Sequence, residues 1–105
     1  MNHVAVEDAQ AALDVIIGMI LINDNNAIVL FDSGASDSFV GANFVQKHNL
    51  PLSMLKNRMI VSSPWGDMHA RHVCPKVNIL IWGVEFIANL IVLESKGIDV
   101  ILGMD

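Results

Sequence analysis

The sequence predicts a single, mostly β domain with one short helix. Runs rich in Val and Ile alternate with turn residues such as Gly, Asn, Asp and Ser along most of the chain. Apolar residues recur at helical spacing between Ser38 and His48. The length of 105 residues suits one domain, and 53% hydrophobic residues suffice for a packed core. We therefore assign residues 1–12 to an N-terminal tail and residues 13–105 to the domain.

The predicted elements follow the order of the apolar runs. A short helix is expected over about 38–48, because Ser36 or Ser38 can cap its start and Pro51 prevents its continuation. Asp24–Asn26 is a turn signal between two apolar runs, which predicts a hairpin. The expected strands and turns are 13–23, 27–31, the end of 52–61, a turn at 62–67, 68–74, a hairpin of 77–82 and 84–93 joined at Gly83, and 99–103. Residues 1–12 are expected to form a tail or a short helix.

Composition excludes several classes of function. The formal net charge of −5 argues against a general nucleic-acid binder, which needs a basic face. The longest apolar run, Val15–Ile22, is too short to cross a bilayer, so no membrane partner is expected. The N-terminus shows no signal-peptide pattern, and a lone Cys74 cannot form an intrachain disulfide. These features predict a cytoplasmic protein, and the high apolar content of so small a chain favours self-association.

The stretch Ile28–Ser36 carries the candidate chemistry. An apolar run leads directly into Asp32, although an isolated carboxylate is costly to bury in a strand. Gly34 permits a sharp bend, and Ser33 offers one hydrogen-bond donor and two acceptor sites. One alternative is an ordinary turn after a strand. Another is a phosphorylation-dependent degradation signal, but such signals need a flexible segment and a serine where Asp37 stands.

The sequence resembles the retropepsins, the aspartic proteases of retroviruses and of gypsy-type long-terminal-repeat retrotransposons, and most of all the plant retrotransposon branch. The stretches that carry the resemblance are Val29–Ser36, Ser38–Val40, Ser63–Gly66 and Gly97–Asp105. The resemblance implies a retropepsin-like barrel, a polypeptide substrate, processing of a retrotransposon polyprotein, and no cofactor. Asp32 would be the catalytic residue, and the segment Ser62–Met68 would be the flap that closes over substrate.

The resemblance also implies roles for residues around Asp32. Those expected to support the active-site loop are Ser33, Gly34, Ile101, Leu102 and Gly103. Those expected to bind substrate are Gly34, Ala35, Ser36, Trp65 and Gly66. For Trp65 an exposed turn aromatic remains an alternative.

One Asp-Ser-Gly sequence per chain cannot supply the two carboxylates of an aspartic protease, so a homodimer is expected. The family continues beyond the point that matches Asp105 with a helix and a strand that help to form the dimer. We therefore expect a C-terminally truncated domain that dimerises weakly. The competing hypothesis is a catalytically inactive module of the same fold that binds peptides or dimerises.

A metal site is not expected. His69, His72 and Cys74 fall within six residues, but their spacing does not match a zinc pattern and no fourth ligand is near. Cys74 is expected instead to be a small buried residue.

Overall fold

The computed structural model describes residues 2–5, 14–16, 20–32, 36–63, 66–94 and 97–103. These residues form ten strands and one helix, so the predicted mostly β class is confirmed. The strands are β1 (Asn2–Ala5), β2 (Asp14–Ile16), β3 (Ile20–Ile22), β4 (Asn25–Asn26), β5 (Val29–Asp32), β6 (Phe39–Gly41), β7 (Ser53–Ser63), β8 (Gly66–Ile81), β9 (Val84–Leu93) and β10 (Val100–Gly103), and helix α1 spans Ala42–His48. Among the described residues, no helix is both long and apolar enough to cross a membrane.

The strands form one mixed sheet in the order β1-β7-β8-β9-β6-β10-β5-β2, with β3 pairing with β4 and β8. β10 lies between β5, to which it is parallel, and β6, to which it is antiparallel. The long β8 pairs with β7 along its first part and with β9 and β3 along its second part. This order places β5 and β10 side by side, although about seventy residues separate them in the sequence.

Both faces of the central strands are buried. On β5, Val29 belongs to one hydrophobic cluster and its neighbour Leu30 to another. On β10, Ile101 joins the cluster of Leu30, whereas Leu102 joins that of Val29. Successive side chains of a strand point to opposite faces, so a strand that is covered on both faces has apolar residues at successive positions. This explains the continuous apolar runs of β5 and β10. The strands that lead to Asp32 and Gly103 are therefore held rigidly.

The predicted helix starts later than expected. Residues 39–41 form the buried strand β6, which pairs with β9 and β10, and α1 begins only at Ala42. Its N-cap is Gly41 and makes no side-chain capping bond, so the expected caps Ser36 and Ser38 are wrong. Phe39 and its neighbour Val40 are both almost fully buried, which a strand between two others achieves and one face of a short helix does not. The helix ends at His48, before a left-handed Asn49.

The N-terminal part differs from the prediction in two places. Residues 2–5 form β1 rather than a tail or helix, because they pair in parallel with β7. The expected hairpin between 13–23 and 27–31 is confirmed by the antiparallel pairing of β2 with β5, but its turn is tighter than the predicted Asp24–Asn26, because β3 pairs with β4. Its turn lies at Asn23 and Asp24, whose φ angles of 47° and 67° suit a two-residue hairpin. The second expected hairpin is confirmed, with Trp82 and Gly83 as the turn between β8 and β9.

Candidate active site

Asp32 is the last residue of β5, in the middle of three paired strands. β5 pairs in parallel with β10, where Gly103 is the partner of Asp32, and antiparallel with β2 on its other side. An acid at the end of a strand held on both edges has a fixed main-chain position. The structure thus brings Asp32 next to the segment Ile101–Gly103, as the sequence analysis expected, although they lie about seventy residues apart.

Ser38 links the residues after Asp32 to β10. The Gly103 N–H donates to the Ser38 Oγ at 3.1 Å, in a partly buried position. The Ser38 carbonyl in turn accepts from the Ile91 N–H at 2.9 Å. One serine therefore fixes β10 and β9 relative to the segment that follows the candidate catalytic loop. Sequence reasoning missed this contact, since it treated Ser38 as a helix cap.

Asp99 holds the opposite end of β10. Its Oδ2 accepts from the Ile28 N–H at 2.8 Å, and the Ile28 carbonyl accepts from the N–H groups of Asp99 and Val100, each at 3.1 Å. The Asp99 carbonyl accepts from the Gly41 N–H at 2.8 Å. Asp99 is therefore a structural residue at the start of β10, whereas Asp32 pairs with the end of that strand. The signal that could have identified this structural role is the position of Asp99 directly before a strand, where an Asp side chain can accept from nearby main chain.

The hairpin of β7 and β8 lies over the same region. Its end is closed by pairing of Ser63 with Gly66 and by a hydrogen bond of 3.0 Å from the Ser62 Oγ to the Asp67 Oδ1. Val61 belongs to the hydrophobic cluster that contains Leu30. The register between β7 and β8 shifts between residues 54 and 59, which is an irregularity where a hairpin can bend. The segment Ser62–Met68, predicted to be the flap, lies at the end of this hairpin, and its role as a flap stays a prediction.

The structure places only some of the predicted site residues. Asp32, Gly66 and Gly103 are placed by their strand partners, and Ile101 and Leu102 are 7% and 4% exposed. Ser36 is exposed and follows the candidate catalytic loop. The predicted roles of Ser33, Gly34, Ala35 and Trp65 fall on positions outside the described residues, so they stay predictions.

Two other features of the described residues are the His and Cys side chains of β8 and a cleft beside α1. His69 and His72 are exposed, whereas Cys74 is fully buried, and burial raises the pKa of its thiol. Within the described ranges, no three His, Cys, Asp or Glu residues are grouped to hold a metal ion. A cleft of about 140 Å³ lies beside α1. The residues that line it are Asn26, Asn43, Phe44, Lys47, His48 and Asp99.

Comparison with known proteins gives one consistent result. Residues 1–105 match the family described as retroviral aspartyl protease. The structure is similar to that of the EIAV protease complexed with the inhibitor HBY-793, with a TM-score of 0.62 and 23% sequence identity, over 86% of this chain and 82% of that one. The fold is therefore that of the retropepsins. No curated protein matches the chain.

Proposed function

Because the chain belongs to the retroviral aspartyl protease family, we propose that it is an aspartic endopeptidase in which Asp32 is the catalytic residue. The observation that carries the proposal is the position of Asp32. It ends a strand that is buried on both faces and pairs with Gly103 at the end of β10, in a retropepsin fold. The sequence that follows Asp32, Ser-Gly-Ala-Ser, resembles the active-site loop of the retropepsins, which supports the proposal.

The reaction requires two carboxyl groups that share one proton. Two carboxylates about 3 Å apart cannot both be ionised, so one stays protonated while the other carries the charge. The ionised group takes a proton from water, and the water oxygen attacks the peptide carbonyl. The protonated group donates its proton to the carbonyl oxygen as that oxygen gains charge, which gives a diol. The C–N bond of the diol then breaks as the first group passes its proton to the nitrogen and the second takes a proton back from a diol hydroxyl. Activity is therefore expected to be highest at mildly acidic pH and to depend on the titration of the pair as a unit.

The second carboxyl group is proposed to come from a second copy of the chain. The sequence contains one Asp-Ser-Gly. Within the described residues, Asp99 lies at the far end of β10 and Asp67 bonds Ser62 in the hairpin. A two-fold dimer that brings the ends of the two β5 strands together supplies one Asp32 from each subunit. The proposed enzyme is therefore a homodimer.

The proposed substrate is a polypeptide in extended conformation. The hairpin of β7 and β8 packs on the sheet through Val61 and Ala70, close to Leu30 on β5. Bending at the irregularity between residues 54 and 59 would open and close the hairpin over a bound polypeptide. The resemblance to plant gypsy-type elements supports a retrotransposon polyprotein as the natural substrate, cleaved in the cytoplasm.

The test compares two substitutions of the same chemistry. Asp32→Asn removes the ionisable group and keeps the shape, so cleavage of an unstructured protein should fall by about 10²–10⁴-fold or more. Asp24→Asn makes the same change in the exposed β3–β4 turn, where Asn also accepts a positive φ, and should leave cleavage unchanged. Cleavage by the wild type should be sensitive to pepstatin.

Two results would reject the proposal. Unchanged cleavage by Asp32→Asn would remove Asp32 from the mechanism. A stable wild-type dimer without pepstatin-sensitive cleavage at any pH would favour the inactive peptide-binding module instead.

A further inference from the structure

β1 lies along the outer edge of the hairpin formed by β7 and β8. It pairs in parallel with Met59–Ser62, so that Asn2 is opposite Met59 and Ala5 is opposite Ser62. The other edge of the same part of β7 pairs with β8. β1 is the terminal strand in the sheet order and has β7 as its neighbour there. A strand edge left without a partner exposes a row of free N–H and C=O groups, and β1 covers that row on β7.

The covered edge lies beside the candidate active site. Val61, in the middle of the paired stretch, is fully buried in one cluster with Leu30 and Ile101. Leu30 and Ile101 are themselves partners, two residues before the pair Asp32 and Gly103. A polypeptide that added to β7 at Met59–Ser62 would therefore lie close to the end of β5. β1 already occupies that position, with its C-terminal end towards the hairpin turn.

We propose that β1 is a displaceable resident strand that occupies the polypeptide-docking edge of β7 and so limits access of substrate. The proposal rests on the proposed function, which makes an extended polypeptide the ligand. Addition of a strand to a sheet edge uses main-chain hydrogen bonds and tolerates many side chains, so one polypeptide segment can replace another. A strand of four residues on a terminal edge is marginal by itself and can exchange.

The first experiment asks whether β1 covers the edge. The double variant His3→Pro/Val4→Pro removes two N–H donors from the middle of β1 and makes regular pairing impossible. Amide hydrogen exchange in Met59–Ser62 should become faster at the positions that face β1. The matched control His3→Ala/Val4→Ala changes the same two residues but keeps both main-chain N–H groups, and it should leave this exchange unchanged. Unchanged exchange in the double variant would overturn the proposal.

The second experiment asks whether the edge binds polypeptide. The probe is a fluorescent peptide that carries residues 1–8 of the chain, added to full-length protein with the Asp32→Asn substitution. It should bind the chain that also carries His3→Pro/Val4→Pro, and bind the chain with an intact β1 much more weakly. Equal binding to both chains, or binding to neither, would overturn the proposal.

A third measurement connects the edge to catalysis. In an otherwise wild-type chain, His3→Pro/Val4→Pro should lower KM for a protein substrate and leave kcat unchanged. The fall is about tenfold if β1 covers the edge for about nine-tenths of the time, because apparent affinity scales with the open fraction. A wild type that cleaves with the same KM as the double variant would contradict the proposal. If neither chain cleaves, the proposed function has failed, and hydrogen exchange with peptide binding still decides the role of β1.

Discussion

The bond between Ser38 and Gly103 is expected to be a measurable part of the stability of the active-site region. Ser38→Ala removes the Oγ that accepts from the Gly103 N–H at 3.1 Å and leaves that donor in a partly buried place. An unsatisfied buried main-chain donor costs about 1–3 kcal/mol, and partial burial favours the lower half of this range, about 1–2 kcal/mol. With an m value of about 1.5–2 kcal/mol/M, the urea midpoint should fall by roughly 0.5–1.3 M.

The assay is urea unfolding followed by fluorescence, together with amide hydrogen exchange at Gly103. Ser38→Ala should speed exchange at Gly103, whereas Ser38→Thr keeps a hydroxyl and should recover most of the stability. Ser53→Ala is the matched control, since Ser53 is exposed at the start of β7. Activity of Ser38→Ala should fall through kcat, because Gly103 is the strand partner of Asp32. An unchanged midpoint with unchanged Gly103 exchange would refute this reasoning.

Three further predictions concern Cys74, Asp99 and the turn between β8 and β9. Cys74 should react slowly with iodoacetamide in the folded protein and rapidly in urea, and rapid reaction of the folded protein would contradict this expectation. Because burial raises the pKa of the Cys74 thiol, the contribution of this group to stability should be lost as the pH rises above the ordinary thiol pKa. Asp99→Ala should lower the free energy of unfolding by about 1 kcal/mol, because the Ile28 N–H loses its acceptor. Asp99→Asn keeps an acceptor oxygen and should lower the free energy of unfolding by less. Equal losses of both variants in chemical denaturation would argue against the bond. Gly83→Ala should lower the free energy of unfolding by about 1–2 kcal/mol, because Gly83 has a φ of 81°. Trp82→Asn should raise Tm, because Asn accepts a positive φ more readily than Trp. Calorimetry that finds no change in either variant would contradict the turn assignment.

The sequence predicted the strands around Asp32 because their signals are local. β5 and β10 are short apolar runs that end in Asp32 and Gly103, and the structure retains both runs as strands. The hairpin at Gly83 was also predictable, because glycine suits the positive φ of its turn. Partnership between β5 and β10 followed from the family resemblance, since periodicity alone does not tell which strands pair.

The errors arose where tertiary contacts outweigh local preference. Phe39 and Val40 fit a helical spacing with later residues, yet pairing with β9 and β10 buries both of them as a strand. β1 could not be predicted, because its partner is Met59–Ser62, far along the chain, and its own sequence is unremarkable. The bonds of Ser38 and Asp99 likewise join segments that are distant in sequence, so only the folded structure reveals them.

A mixing experiment tests most directly the claim that two copies of Asp32 form one catalytic centre. Wild-type chain and Asp32→Asn chain are combined at constant total concentration, allowed to exchange subunits, and assayed for cleavage. If each active centre needs one Asp32 from each subunit, a mixed dimer is inactive, and total activity should follow the square of the wild-type fraction. When half of the chains are wild type, random pairing gives about a quarter of the dimers two wild-type subunits, so about a quarter of the full activity should remain. Activity that falls in direct proportion to the wild-type fraction would contradict the account, because each chain would then carry a complete centre.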